Sequence, residues 1–162
     1  MMLRAATPDD ASAIAALWAP VVRDTPFTFT ATPRTADDIA ADIVAKSVAG
    51  HAFLVAEHAD ALAGFATYAQ FRPGAGYART MEHTIILAPD HRGQGRGRAL
   101  LSALIEHARA AGVSGLVAGI SAENPGAIAF HERMGFTRAG VIPKAGYKFD
   151  REIDLLLLHR SL

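Results

Sequence analysis

The chain contains no cysteine, only one tryptophan and only three tyrosines. Without a thiol there can be no disulfide, no thiolate metal site and no cysteine nucleophile. An excess of one charge is lacking too, because sixteen Lys plus Arg balance sixteen Asp plus Glu. No global field therefore draws a polyanion, and neither nucleic acid nor an acidic membrane surface is expected as a partner. Any anion site must be local. No stretch approaches the roughly 18 apolar residues of a membrane span. The start, MMLRAATPDD, lacks the apolar core of a signal peptide, so a cytoplasmic protein is expected. Seven histidines are present, but none has paired metal spacing, and no metal is expected.

What is present is a 162-residue chain, 51% apolar, enough for one compact core and too short for two. We read residues 1–162 as a single domain. LRAAT predicts a first strand, and Thr7, Pro8 and Asp9 a helix start, with Ile14, Leu17 and Trp18 forming an apolar face up to Pro20. Thr35 and Asp38 have capping-box spacing for a second helix reaching about Gly50. HAFLVAE and ALAGFATYAQF read as an antiparallel hairpin, and TMEHTIILA as the next strand, stopped by Pro89. After the glycine stretch, Leu100, Leu101, Leu104, Ile105 and Ala108 stripe a third helix that Gly112 ends. GLVAGIS reads as a buried strand, and NPGAIAFHERMGF as a helix capped by Asn124 with proline at its first position. Two final strands are expected, with Lys144 to Lys148 in or near their connection. The order predicts a mixed α/β (α+β) fold with a largely antiparallel sheet flanked by helices.

The segment HRGQGRG places three glycines and two arginines directly after a strand and at the start of a helix. Bare backbone there exposes unpaired N–H groups at the positive end of the helix dipole, which suits a phosphate or pyrophosphate. The plainer alternative is a tight strand-to-helix turn. A P-loop would need Lys-Ser/Thr after its last glycine, where this chain has Arg98 and Ala99. A dinucleotide fingerprint would need its glycines early in a parallel βαβ unit, whereas these stand at 93, 95 and 97, past mid-chain.

Arg92-Gly93-Gln94-Gly95-Arg96-Gly97 resembles the pyrophosphate loop of the GNAT superfamily of N-acetyltransferases, and NPGAIAFHERMGF resembles that superfamily's N-x-x-A-x-x-x-Y-x-x-x-G-F helix. The resemblance runs over essentially the whole chain and implies the GNAT fold with acetyl-CoA as cosubstrate. It implies that the amides of Gln94 to Ala99, spanning Arg96, Gly97 and Arg98, hold the pyrophosphate. Backbone groups of Ile85, Ile86 and Leu87 would pair with the pantetheine arm, and Asn124 would contact it further on. His131 falls where the family often has a tyrosine that protonates the departing thiolate. Histidine can donate a proton near neutral pH; its other reading is a filler of the helix face.

FRPGAGYARTMEHTIIL and GYKFDREID are similar to one branch, the phosphinothricin and methionine sulfoximine N-acetyltransferases. The branch implies transfer to the α-amine of a small amino-acid analogue by direct attack. Such an acceptor brings a carboxylate and an oxyanionic or sulfoximine head, and its amine must lose a proton. Arg72 is the candidate for anion recognition and Glu82 for the base; their alternatives are a solvated cation and a surface ion pair. His83 should face away from Glu82 on a regular strand. Lys148 is expected to close the pocket or steady the last hairpin, and Phe29 and Tyr77 to be pocket walls or core. The chain departs from the branch at Ala31, Asp150 and Glu152. Other expectations are acetylation of a polyamine or protein N-terminus, and a CoA-binding sensor without catalysis. A homodimer is expected from the resemblance.

Overall fold

The structure is a computed structural model describing residues 1–59 and 61–162. Seven strands form one sheet: β1 Met2–Ala5, β2 Phe53–His58, β3 Ala61–Gln70, β4 Thr80–Leu87, β5 Gly115–Ser121, β6 Thr137–Lys148 and β7 Arg151–Ser161. The helices are α1 Ala11–Asp24, α2 Ala36–Val48, α3 Arg96–Ala110 and α4 Pro125–Arg133. The spatial order is β1-β2-β3-β4-β5-β7-β6, and only β4 and β5 run parallel. This is the mixed, mostly antiparallel architecture expected from the sequence.

Two apolar layers sandwich the sheet. On one face, Ile14 of α1 and Ile39 and Ile43 of α2 pack on Phe53, Val55 and Phe65. On the other, the α3 stripe of Leu100, Leu101, Leu104, Ile105 and Ala108 joins Met81, Leu116 and Leu158, with Ile85 packed against them. Alternation along β4 therefore sends Met81 and Ile85 to the α3 side and Ile86 to the α1 side.

The sheet is not closed along its centre. β4 pairs with β5 only from Thr80 to Glu82, opposite Gly115 to Val117. Beyond that point β4 stays with β3 as far as Leu87, and β5 stays with β7 as far as Ser121. The two halves splay, and the β5-facing edge of β4 from Ile85 to Leu87 has no ladder partner among the described residues.

One local expectation is corrected. α1 runs through Pro20 and ends at Asp24, although an interior proline costs a helix about 3 kcal/mol. The last turn is retained by tertiary contacts: Val22 is buried, Lys148 Nζ donates to its carbonyl, and Thr25 Oγ1 donates to the Val21 carbonyl at 2.6 Å. The Lys144–Lys148 segment belongs to the end of β6 and lies next to the β6–β7 connection, as expected. Phe149 and Asp150 make the turn at φ 54° and 57°, while Lys144 sits at a bulge with φ 56°. Positive φ at both central residues matches the right-handed twist of the flanking strands. The Lys144 amide donates to Asp154 at 2.8 Å, fixing the bulge.

Candidate active site

The glycine loop is built as its composition demands. Gly93 and Gly95 adopt φ 71° and 76°, a left-handed backbone that L side chains disfavour by about 1–2 kcal/mol. Gly95 is the N-cap of α3, with no side-chain cap. The amides of Arg96, Gly97 and Arg98 are therefore left without helical partners at the positive end of the dipole. The Ala99 amide is not part of this set, since it donates to the Gly95 carbonyl at 3.1 Å, as any fourth helical residue does. Gln94 Nε2 donates to the Asp90 carbonyl at 2.9 Å, and Arg96 donates to His91 Nδ1 at 2.7 Å. These two side chains brace the loop from outside, while Arg92, Gly93, Gly95, Gly97 and Arg98 line the cleft. At Gly97, a Cβ would come within 2.9 Å of Leu87 Cδ1, so glycine lets α3 approach the end of β4.

The cleft begins at this loop, passes between the splayed β4 and β5 and opens toward the segment joining α1 to α2. Its volume is about 1170 Å³. Ile85, Ile86 and Leu87 form one wall, and Gly119, Ile120 and Ser121 the other. Asn124 also lines it. Its Oδ1 caps α4 by accepting from the Ala127 amide at 3.1 Å; the carboxamide nitrogen has no protein partner among the described residues. Trp18, Phe29 and Arg34 line the far mouth. The Phe29 ring occupies the space that a side chain at position 146 would need, which places glycine on β6.

Glu82 is the single carboxylate of the cleft lining among the described residues. It stands where β4 and β5 part, and a Cβ at Gly119 would lie 2.7 Å from its Oε1. Partial removal from water raises its pKa above the ordinary carboxylate value of 4.5. A carboxylate with no salt bridge, lining a cleft and with its pKa raised by desolvation, has the attributes of a general base.

His131 and His83 form the inner wall on the α4 side. Both are buried, and their Nε2 atoms are 3.0 Å apart. β4 alternation puts His83 on the face opposite Glu82, as its spacing requires. The partnership of His83 with His131 was not legible, because 48 residues separate them.

Three candidates lie elsewhere. Arg72 and Tyr77 are exposed on the β3–β4 loop and do not line the cleft. There Gln70 Nε2 folds the loop by donating to the Arg72 and Gly74 carbonyls at 2.6 and 2.8 Å, and the Arg72 guanidinium sits over Phe71. Lys148 is buried rather than pocket-lining. Its Nζ donates to the Val22 carbonyl and, at 2.9 Å, to that of Thr28. It thus ties β6 to the α1–α2 segment, and desolvation lowers its pKa. Arg34, which the sequence did not mark, reaches the mouth from that segment. It is held by Asp42 at 3.0 Å and lies over Trp18.

A parted central sheet, an uncapped glycine-rich helix start and an isolated carboxylate between the strands define an acyl-transfer architecture. Residues 18–136 match the Acetyltransferase (GNAT) family, and the chain belongs to that family. It is 35% identical over 162 residues to L-amino acid N-acyltransferase MnaT of Escherichia coli (strain K12), covering 100% of this chain and 94% of that protein. It is 37% identical over 118 residues to the L-methionine sulfoximine/L-methionine sulfone acetyltransferase of Salmonella typhimurium (strain LT2), covering 73% and 69%. A GNAT superfamily phosphinothricin acetyltransferase from Sinorhizobium meliloti, solved in complex with AcCoA, superposes with TM-score 0.94 at 30% identity, covering 99% and 88%. The protein is an acetyltransferase with the GNAT fold.

Proposed function

We propose that the protein moves acetyl from acetyl-CoA to the α-amine of a small amino-acid analogue of the phosphinothricin, methionine sulfoximine or methionine sulfone type. One observation carries this reading: among the described residues Glu82 is the lone carboxylate lining the cleft, over Gly119 where β4 and β5 separate. The names of the relatives support the acceptor class.

The donor fits the residues present. The free amides of Arg96, Gly97 and Arg98, with Arg92 and Arg98 side chains, suit a pyrophosphate. The unpaired edge from Ile85 to Leu87 suits an amide-bearing arm that adds as a strand, and the Asn124 carboxamide nitrogen is placed to donate to it. When bound, acetyl-CoA supplies an activated thioester carbonyl. Glu82 takes a proton from the acceptor ammonium, directly or through water. The freed amine attacks the carbonyl, and a β4 amide near Leu87 meets the developing oxyanion. His131 supplies the proton to the leaving sulfur. With no cysteine in the chain, attack is direct. Holding amine and thioester together supplies several kcal/mol. Arg34 at the mouth is the cation best placed for the acceptor's carboxylate.

A polyamine would require several acids where this cleft has one. We further propose that residues 1–162 act as one domain in the cytoplasm and as a homodimer. The test follows thiol release from acetyl-CoA with phosphinothricin, methionine sulfoximine, methionine sulfone, spermidine and a short peptide in parallel. Saturable turnover of the amino-acid analogues alone is expected. Turnover of spermidine or peptide alone overturns the acceptor assignment.

A further inference from the structure

The contacts of the His83–His131 pair fix a proton count. His83 Nδ1 lies 3.0 Å from the Val117 carbonyl oxygen, and His131 Nδ1 lies 2.8 Å from the Ala127 carbonyl oxygen. A carbonyl oxygen only accepts, so each Nδ1 must carry hydrogen. With both rings neutral, two bare Nε2 lone pairs would then face each other at 3.0 Å. Shifting a hydrogen from Nδ1 to Nε2 repairs that contact and breaks one to a carbonyl. Three protons on four nitrogens satisfy all three contacts, and two protons cannot. Buried polar groups are rarely left unsatisfied.

We propose that His83 and His131 form one proton-holding unit with the third proton shared between their Nε2 atoms, and that His131 hands this proton to the departing thiolate. His83 acts through His131 and is a positioning residue. Only the delivery step rests on the acetyl-transfer reading above. As the acceptor nitrogen bonds the acetyl carbon, the C–S bond breaks and its electron pair leaves on sulfur. The shared N–H bond then breaks and an S–H bond forms, taking the pair from one net positive charge to neutral. On going from ammonium to amide the acceptor nitrogen loses two protons: the first passes through Glu82 to solvent before attack, the second is taken by Glu82 once the C–N bond has formed, and solvent then resets Glu82 and the pair.

The surroundings make this proton available. Phe130 and Phe136 pack edge-on to His131 at 5.1 and 5.2 Å, and Phe136 lies 5.3 Å from His83. α3 presents leucines and Ile105 to this core. Among the described residues no carboxylate faces the pair: Glu82 points to the opposite face of β4, and Glu132 on α4 is exposed and bound to Arg138 at 2.8 Å. Arg133, the other charged neighbour on α4, is exposed. Burial, and at His83 the neighbouring His131, lower the proton affinity of the separate rings; the two opposed lone pairs favour one proton shared between them. The pair titrates as a pair, not as two separate rings.

Ring-labelled ¹⁵N-histidine spectra of the full chain without ligand test the proton count. Three ring N–H groups across His83 and His131, the third shared and titrating in one step between about pH 5 and 8, are expected. That signal should vanish in both His83→Gln and His131→Gln, with His51, His58, His91, His107 and His159 unmoved as a check on folding. Two bare Nε2 atoms throughout that range, or two independent titrations, would overturn the pair. In turnover, each single variant should lose about 100-fold in kcat with acetyl-CoA KM within about twofold, and the double variant should lose no more. Multiplying losses would overturn the shared role. A shared proton in a protein that turns over no acceptor would retain the pair and reject the acetyl-transfer reading instead.

Discussion

The two ends of the cleft are made differently. The proposed donor end comes from one continuous stretch, β4 through the glycine loop into α3, with α4 completing it. Its chemistry is main chain: two left-handed glycines, three uncapped amides and an unpaired strand edge. The proposed acceptor end gathers groups from distant segments: Trp18 on α1, Arg34 in the α1–α2 connection, Glu82 on β4, Gly119 on β5, and Phe29 seated on Gly146. A polyphosphate handle common to many reactions can be held by backbone. Selection of one acceptor needs side chains, which the fold alone assembles.

The largest expected effect separates the ends at Glu82. Glu82→Gln should lower kcat by about 100-fold or more, with acetyl-CoA affinity by calorimetry nearly unchanged; undiminished turnover would remove Glu82 as the base. The same variant should be more stable than wild type at neutral pH. Desolvation raises the folded pKa of Glu82, so the folded state binds more protons than the unfolded one above the ordinary carboxylate pKa. Stability therefore falls as pH rises through that window. Melting curves at several pH values should show the variant's advantage shrinking toward acid.

Gly95→Val should strike the donor end alone. A β-branched residue at φ 76° distorts the loop and should raise acetyl-CoA KM about tenfold, from a backbone cost of about 1–2 kcal/mol. A larger effect on acceptor KM than on acetyl-CoA KM would erase the contrast between the ends. Gly119→Ala should be milder, because its methyl displaces the Glu82 carboxylate from a 2.7 Å approach. Overpacking of about 1 kcal/mol corresponds to about a fivefold loss in kcat/KM for the acceptor, with acetyl-CoA binding intact.

Lys148→Met should affect turnover least. One buried and one half-buried carbonyl lose a charged donor, so stability should fall by about 2 kcal/mol and Tm by about 4–8 °C. Acceptor KM should rise only slightly as the α1–α2 segment loosens. An unchanged Tm would mean that Lys148 does not anchor that segment.

Local rules made much of this legible. The capping box at Thr35 and Asp38 appears as spaced, with the Asp38 amide donating to Thr35 Oγ1 at 3.1 Å, and Asn124 caps α4. The β4 alternation correctly separated Glu82 from His83. Reading failed where a tertiary contact overrode a local preference: α1 continues past Pro20 because Val22 is buried and Lys148 holds its carbonyl. The β6–β7 turn, expected in or near Lys144–Lys148, falls directly after Lys148 at Phe149–Asp150. Arg72 and Tyr77 had suitable chemistry, but the Gln70-braced loop carries them outside the cleft.

The sequence by itself therefore determined the order of elements, the family and the conformation of the glycine loop, since glycine conformations, helix caps and apolar periodicity act within a few residues. Only the tertiary structure decided that β4 and β5 part after Glu82, that Gly119 leaves room for that carboxylate, and that two histidines 48 residues apart meet through their Nε2 atoms. Those are contacts across the sheet, set by packing distances that no local spacing encodes.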